Sequence, residues 1–222
     1  MLSINHISQS FKDKKVLNDV NLKINDGEIV CLYGDSGEGK STIARIMTGL
    51  LKPDEGQVLL NNKELWGKTY DRNEGKRIQM VAQDPVVSLD PSLKIRTQIN
   101  ELLRYYKRER DITPLLVSLG LKEELLDHYP YQISGGEAQR INLLRALLME
   151  PSVLILDEAT SMCDTLNQRF IMDYCVHEYL KKSIQPTCIL MISHNKELVK
   201  DYAQRIYIIK GGHCDEKHVK EF

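Results

Sequence analysis

The sequence is poor in the features that would staple a small fold, span a bilayer or grip a polyanion. Its five cysteines (Cys31, Cys163, Cys175, Cys188 and Cys214) are odd in number and form no C-x-x-C pair. Neither a disulfide framework nor a zinc or redox motif is indicated. Cys31 and Cys188 lie in apolar, strand-like runs where a reduced, buried thiol is expected, which points to a reducing, cytoplasmic compartment. No run approaches the ~18 apolar residues of a membrane span. Met1-Leu2-Ser3-Ile4-Asn5-His6 lacks the basic-then-apolar order of a secretory signal. Charge of one sign is missing too: 30 Lys and Arg stand against 31 Asp and Glu, a formal net charge of −1. Without a basic excess, no nucleic-acid partner is expected. Any membrane association is expected to run through a partner.

What is present is one sizeable domain's worth of chain, 222 residues, with room for an inserted lobe. Residues 2–11 and Val20–Ile24 alternate as strands, with Asn25-Asp26-Gly27 as a turn. Pro53-Asp54-Glu55-Gly56 turns the chain into the short strand Gln57–Leu60, and Arg77–Gln83 is strand-like up to Asp84-Pro85. The period then changes. Ile95, Ile99, Leu102, Leu103 and Tyr106 fall at helical spacing. Thr113-Pro114 reads as a cap followed by proline in the first turn, with Gly120 closing that short helix. Beyond Pro151, strands (Val153–Leu156, Cys188–Ile192, Arg205–Ile209) alternate with helices at about 165–182 and 195–203. Such alternation implies a mainly parallel sheet covered by helices. The expected organisation is an α/β core from 1–83 and 151–222, with residues 84–150 as an inserted helical subdomain.

The chemistry is concentrated at Gly34-Asp35-Ser36-Gly37-Glu38-Gly39-Lys40-Ser41-Thr42, which fits G-x-x-x-x-G-K-[ST]. It follows the apolar strand Glu28–Tyr33 and opens the helical run Ile43–Met47, the strand–loop–helix context of a phosphate-binding loop. Glycines let successive N–H groups curl inward around an anion, and the helix N-terminus adds its positive dipole end. Lys40 would reach the β- and γ-phosphates of a nucleoside triphosphate, and the Ser41 hydroxyl would coordinate Mg²⁺.

Val153-Leu154-Ile155-Leu156-Asp157-Glu158 is a buried strand ending in two carboxylates, expected to point in different directions at its ligand-binding end. Asp157 is placed to hold Mg²⁺, and Glu158 to polarise the attacking water. Cys188–Ser193 repeats the pattern and ends in His194, which is either a structural histidine or a γ-phosphate sensor. Ser134-Gly135-Gly136-Glu137 precedes an apolar helix. The spacing of Ser134 and Glu137 is that of a capping box, while the paired glycines bare backbone N–H groups for a second anion.

The order of these pieces resembles the nucleotide-binding subunit of ATP-binding cassette (ABC) transporters across essentially the whole chain. The resemblance implies a P-loop NTPase fold with a RecA-like, mainly parallel sheet core. An N-terminal antiparallel β portion and an inserted helical subdomain complete it. ATP and Mg²⁺ are the implied cofactors. It also implies that Phe11 stacks on adenine and that Gln83 senses Mg²⁺ and the membrane subunit. Ser161-Met162-Cys163-Asp164 then communicates between subunits, with Asp164 its acidic member, and Ser134–Glu137 is the signature that meets the nucleotide of a partner copy. The implied partners are transmembrane permease subunits, a second cassette (identical or different) and, indirectly, an extracytoplasmic solute-binding protein, with the chain on the cytoplasmic face of the membrane.

Two departures stand out: Glu137 where the family usually has Gln, and Met162-Cys163 in place of a small residue and Leu. Gln83–Pro91 and Tyr129-Pro130 resemble the peptide/nickel importer class. The short C-terminal stretch after Gly211-Gly212 favours its nickel or metallophore branch over di- and oligopeptides. His213-Cys214-Asp215-Glu216-Lys217-His218 mixes soft and hard ligands without fixing their geometry. A soluble ABC ATPase is the rival reading. Its DNA-repair type would carry long heptads, which do not interrupt residues 42–133, and a translation-associated type would hold two cassettes. A simple phosphotransferase would leave Ser134-Gly135-Gly136 without a purpose.

Overall fold

The structure is a computed structural model that describes residues 1–66, 76–107, 109–158, 165–182, 186–219 and 222. The chain divides into two compact units.

The first unit comprises Met1–Met80, Pro151–Glu158 and Ser183–Phe222. Its antiparallel sheet has the order β2-β1-β4-β5, built from β1 (Leu2–Phe11), β2 (Lys14–Ile24), β4 (Glu55–Leu60) and β5 (Lys63–Glu64). Alternation puts Ile4, Val20, Leu22, Ile24, Val58 and Leu60 inward, the pattern of a sheet with one face on a core. β2 starts at Lys14, six residues before the alternation alone would begin it, because pairing with β1 carries it past the bulges beside Ile7 and Gln9. The second sheet has the order β10-β9-β3-β8-β7-β6. β3 (Ile29–Tyr33) lies parallel to both β8 (Cys188–Ser193) and β9 (Arg205–Lys210), and β7 (Val153–Asp157) lies parallel to β8. β6 (Ile78–Val81) and β10 (His213–His218) are the edges. β3, β7 and β8 are apolar almost throughout because both of their faces are covered. One hydrophobic cluster joins both sheets to Ile43, Ala44, Ile46 and Met47 of α1 (Lys40–Met47).

β10 converts the tail from a candidate metal segment into an antiparallel edge strand, with His213 opposite Lys210 and His218 opposite Arg205. A polar knot fastens it. Arg205 donates to Glu216 at 2.8 Å, to Glu28 at 3.0 Å and to the Tyr207 hydroxyl at 2.7 Å. Tyr207 in turn donates to Glu216 at 2.9 Å.

The second unit comprises Val81–Glu150 and Ala159–Lys182, and its described residues carry α2 (Ile95–Tyr105), α3 (Thr113–Ser118), α4 (Gly135–Leu148) and α5 (Thr165–Asp173). Described residues 165–182 belong to this unit. The helix after Thr165 continues through a π turn, Tyr174–Tyr179, to Leu180–Lys182. Thr113 is not the cap of α3. The N-cap is Ile112, and the Asp111 carboxylate accepts the Thr113 N–H at 2.9 Å. Gly120 ends that helix at φ +61°, where any other L-residue would be strained.

Candidate functional site

Gly34–Gly39 joins the end of β3 to the start of α1. Gly37 and Gly39 take φ of +86° and +100°. A Cβ on Gly34 would lie 2.6 Å from the carbonyl oxygen of Ile209. The glycines are therefore set by conformation at two positions and by close backbone approach at a third. Gly39 caps α1 with no side-chain hydrogen bond, and no acidic residue stands in the first turn. Its N–H groups are left for an anion.

Lys40 is 5% exposed. Its ammonium donates to the carbonyls of Gly34 and Asp35, each at 2.8 Å, and lies 3.8 Å from Glu158 Oε1. These contacts arch the side chain back over the loop, a charge held by carbonyls and one carboxylate. Glu38, a loop residue by sequence, has a contact that the motif does not reveal: its carboxylate accepts the Gly211 N–H at 2.6 Å, tying the loop to the β9–β10 turn. No sequence signal announces that bond, because it spans 173 positions. Beneath the loop, burial pushes the Cys31 thiol up to about 12, which keeps it protonated and inert.

Asp157, at the end of β7, is buried. Desolvation raises its pKa above the ordinary carboxylate value, against a hydrogen bond from Ser41 that lowers it. Its Oδ1 is buried with no hydrogen-bond partner. A buried carboxylate oxygen without a donor, beside a hydroxyl, is a poor arrangement for a protein alone and a good one for a hard cation with oxygen ligands. The next residue leaves the strand: Glu158 takes φ +44°, and its N–H donates to the Ile192 carbonyl at 3.1 Å. Its Oε1 lies 3.3 Å from His194 Nδ1. Asp157 thus meets Ser41 while Glu158 meets Lys40 and His194. Of the two open readings of His194, its ring is exposed, at 63%, rather than packed in a core. Phe11 ends β1 and is 46% exposed, a free aromatic face in the same unit.

In the second unit, Ser134 caps α4 and Glu137 completes the capping box, as their spacing predicts. Gln83 is exposed. The segment after it is fixed to α4 by a ladder that pattern reading missed. Gln139 donates to the Ala82 carbonyl at 3.4 Å, Asn142 to Pro85 at 2.7 Å and Arg145 to Ser88 at 2.7 Å. Asp164, with Ser161, Met162 and Cys163, lies outside the described residues.

The ABC transporter family model matches residues 17–161. The chain belongs to the ABC transporter family. It is accordingly an ATP-binding cassette and an ATPase. The oligopeptide transport ATP-binding protein OppF of Haemophilus influenzae is 32% identical over 97% of this chain and 71% of its own length. The Escherichia coli OppF is 35% identical, with 92% of this chain aligned to 63% of that protein. The nickel import ATP-binding protein NikE of Escherichia coli is 35% identical over 96% of this chain and 81% of its own. Among solved structures, the dimeric ATP-binding cassette MJ0796 in a post-hydrolysis state with ADP and Pi superposes with a TM-score of 0.83. It is 26% identical, and both chains are covered in full. Among the described residues, no helix of the cassette is long and apolar enough to cross a membrane.

Proposed function

We propose that this cassette is the ATP-hydrolysing subunit of an importer for a small solute, working at the cytoplasmic face of the membrane against transmembrane permease subunits. The observation that carries the hydrolytic part of the reading is the meeting of Glu158 Oε1 with His194 Nδ1 at 3.3 Å and Lys40 Nζ at 3.8 Å at the mouth of the phosphate loop. The Gly37–Thr42 backbone receives the phosphates and Phe11 the adenine. Lys40, released from the Gly34 and Asp35 carbonyls, turns to the β- and γ-phosphates. Ser41 and Asp157 would hold Mg²⁺, with Gln83 the further ligand that the family pattern proposes, and the ion would supply neutralisation of the phosphate charge. Glu158 accepts the proton of the attacking water, and His194 donates to the γ-phosphate. Two cassettes, identical or different, close head to tail. The Ser134 hydroxyl and the Gly135 and Gly136 N–H groups of one then cover the nucleotide of the other, and Asp164 serves communication between subunits. The dimeric form of the relative bound to ADP and Pi supports the pairing of two cassettes.

The cargo proposed is nickel or another metal chelate, or a peptide, delivered by an extracytoplasmic binding protein. The names of the relatives at 32–35% identity support that class. The exposed Val86 and Val87 beside Gln83 give the permease an apolar foothold. The decisive variant is Glu158→Gln, which should bind ATP, accumulate as a dimer and lose at least about 100-fold in hydrolysis. Hydrolysis at the parental rate would remove Glu158 from the reaction. Co-purification from detergent-solubilised membranes should recover permease subunits, and recovery of none would favour a soluble ABC ATPase.

A further inference from the structure

The signature segment of this cassette is closed upon itself. Ser134 Oγ–H donates to Glu137 Oε2 at 2.7 Å, the Ser134 N–H donates to the same oxygen at 2.8 Å, and the Glu137 N–H donates back to Ser134 Oγ at 3.3 Å. A serine hydroxyl has one proton to give, and here it is given to a carboxylate. A phosphate oxygen approaching Ser134 therefore meets lone pairs, with a second anion directly behind them. The charge is firmly in place. Hydrogen bonds from the Ser134 backbone and hydroxyl hold the Glu137 carboxyl below the usual range, with Arg140 and His128 adding to the effect. The N-terminus of a 14-residue helix favours the same ionised state.

We propose that Glu137 is a positioning residue that acts as a brake on nucleotide-driven closure. It keeps the Ser134 hydroxyl turned inward, so the γ-phosphate carried by a partner copy must displace a charge-assisted hydrogen bond before the pair of cassettes can close. The inference rests on the proposed contact of Ser134-Gly135-Gly136 with the partner's ATP. The brake sits in the signature and leaves the phosphate loop untouched. It sets how much ATP-loaded protein is needed for closure, a quantity distinct from how tightly one cassette holds its nucleotide.

Glutamine at 137 has the same shape and still offers an oxygen to the Ser134 N–H, but it carries no charge and holds the hydroxyl more weakly. The test uses the Glu158→Gln chain, with and without Glu137→Gln, in saturating Mg-ATP. The dimer dissociation constant is read by sedimentation velocity across a protein dilution series. Release of the brake should tighten the dimer about five- to tenfold, while the thermal midpoint of the nucleotide-free chain holds or falls. A residue serving purely as a helix cap would weaken the dimer along with the fold. A dimer that forms and is unchanged or weakened by Glu137→Gln overturns the brake alone. A Glu158→Gln chain that stays monomeric with ATP, whichever residue stands at 137, overturns the closure reading and the brake with it.

Discussion

Asn142, about two turns inside α4, donates its side-chain amide to the carbonyl of Pro85 at 2.7 Å, and the bond is buried. Gln139, Asn142 and Arg145 are three residues apart and fall on one helix face. Their partners, Ala82, Pro85 and Ser88, step by three as well. The segment after Gln83 thus runs alongside the helix that begins at the signature, and side chains hold it at three rungs. Secondary-structure hydrogen bonds play no part in those contacts.

The ladder is expected to matter to stability and coupling together. Asn142→Leu leaves the Pro85 carbonyl buried without its donor, which costs about 1–3 kcal/mol. Thermal unfolding should register this as a fall of several degrees in the midpoint. ATPase activity of the isolated cassette should survive better than activity stimulated by its membrane partner. A variant as stable as the parent would show that Asn142 is dispensable.

Asp157 is expected to be a residue that function keeps at the expense of the empty fold. Its folded-state pKa is raised, chiefly by desolvation. The sign follows: folding gains from this group where it is protonated, and that gain is lost as pH rises through the raised value. At neutral pH the ionised carboxylate is a net cost. Asp157→Asn should therefore raise or hold the thermal midpoint without nucleotide, while the increment from Mg-ATP disappears and hydrolysis falls by at least about 100-fold. An Asp157→Asn chain still stabilised by Mg-ATP would remove Asp157 from the cation site.

Glu216 moves the other way. Hydrogen bonds from Arg205, its largest influence, and from Tyr207 lower its pKa. Its contribution to stability is present above the ordinary carboxylate value and lost as pH falls through the lowered one. Glu216→Gln should flatten the acid side of the stability profile. Arg205→Ala should do so too, and should destabilise at neutral pH because Glu28 and Glu216 both lose their cationic partner. Urea unfolding at a series of pH values decides both.

Lys40→Ala is expected to weaken nucleotide binding while leaving the fold intact. The ammonium serves carbonyls that water can reach once it is gone, whereas the phosphates have no substitute for it. Binding of a fluorescent ATP analogue should weaken by at least about tenfold. Parental affinity would place the phosphates elsewhere.

The candidate site residues were legible in the chain because their signals are local. Gly34–Thr42 needs its glycines in sequence register, Asp157 and Glu158 need an apolar strand immediately before them, and Ser134 and Glu137 need a spacing of three. Each is fixed by backbone geometry within a single turn or strand end. Tertiary structure decided what those residues face. Glu38 meets Gly211, Glu158 meets His194, Asn142 meets Pro85, and the last six residues of the β10 segment form an edge strand on Arg205. Such contacts join positions that spacing does not reveal; Glu158 and His194, 36 apart, and Glu38 and Gly211, 173 apart, come together through the order of strands in a sheet. That order follows from burying all the apolar strands at once, a property of the whole chain.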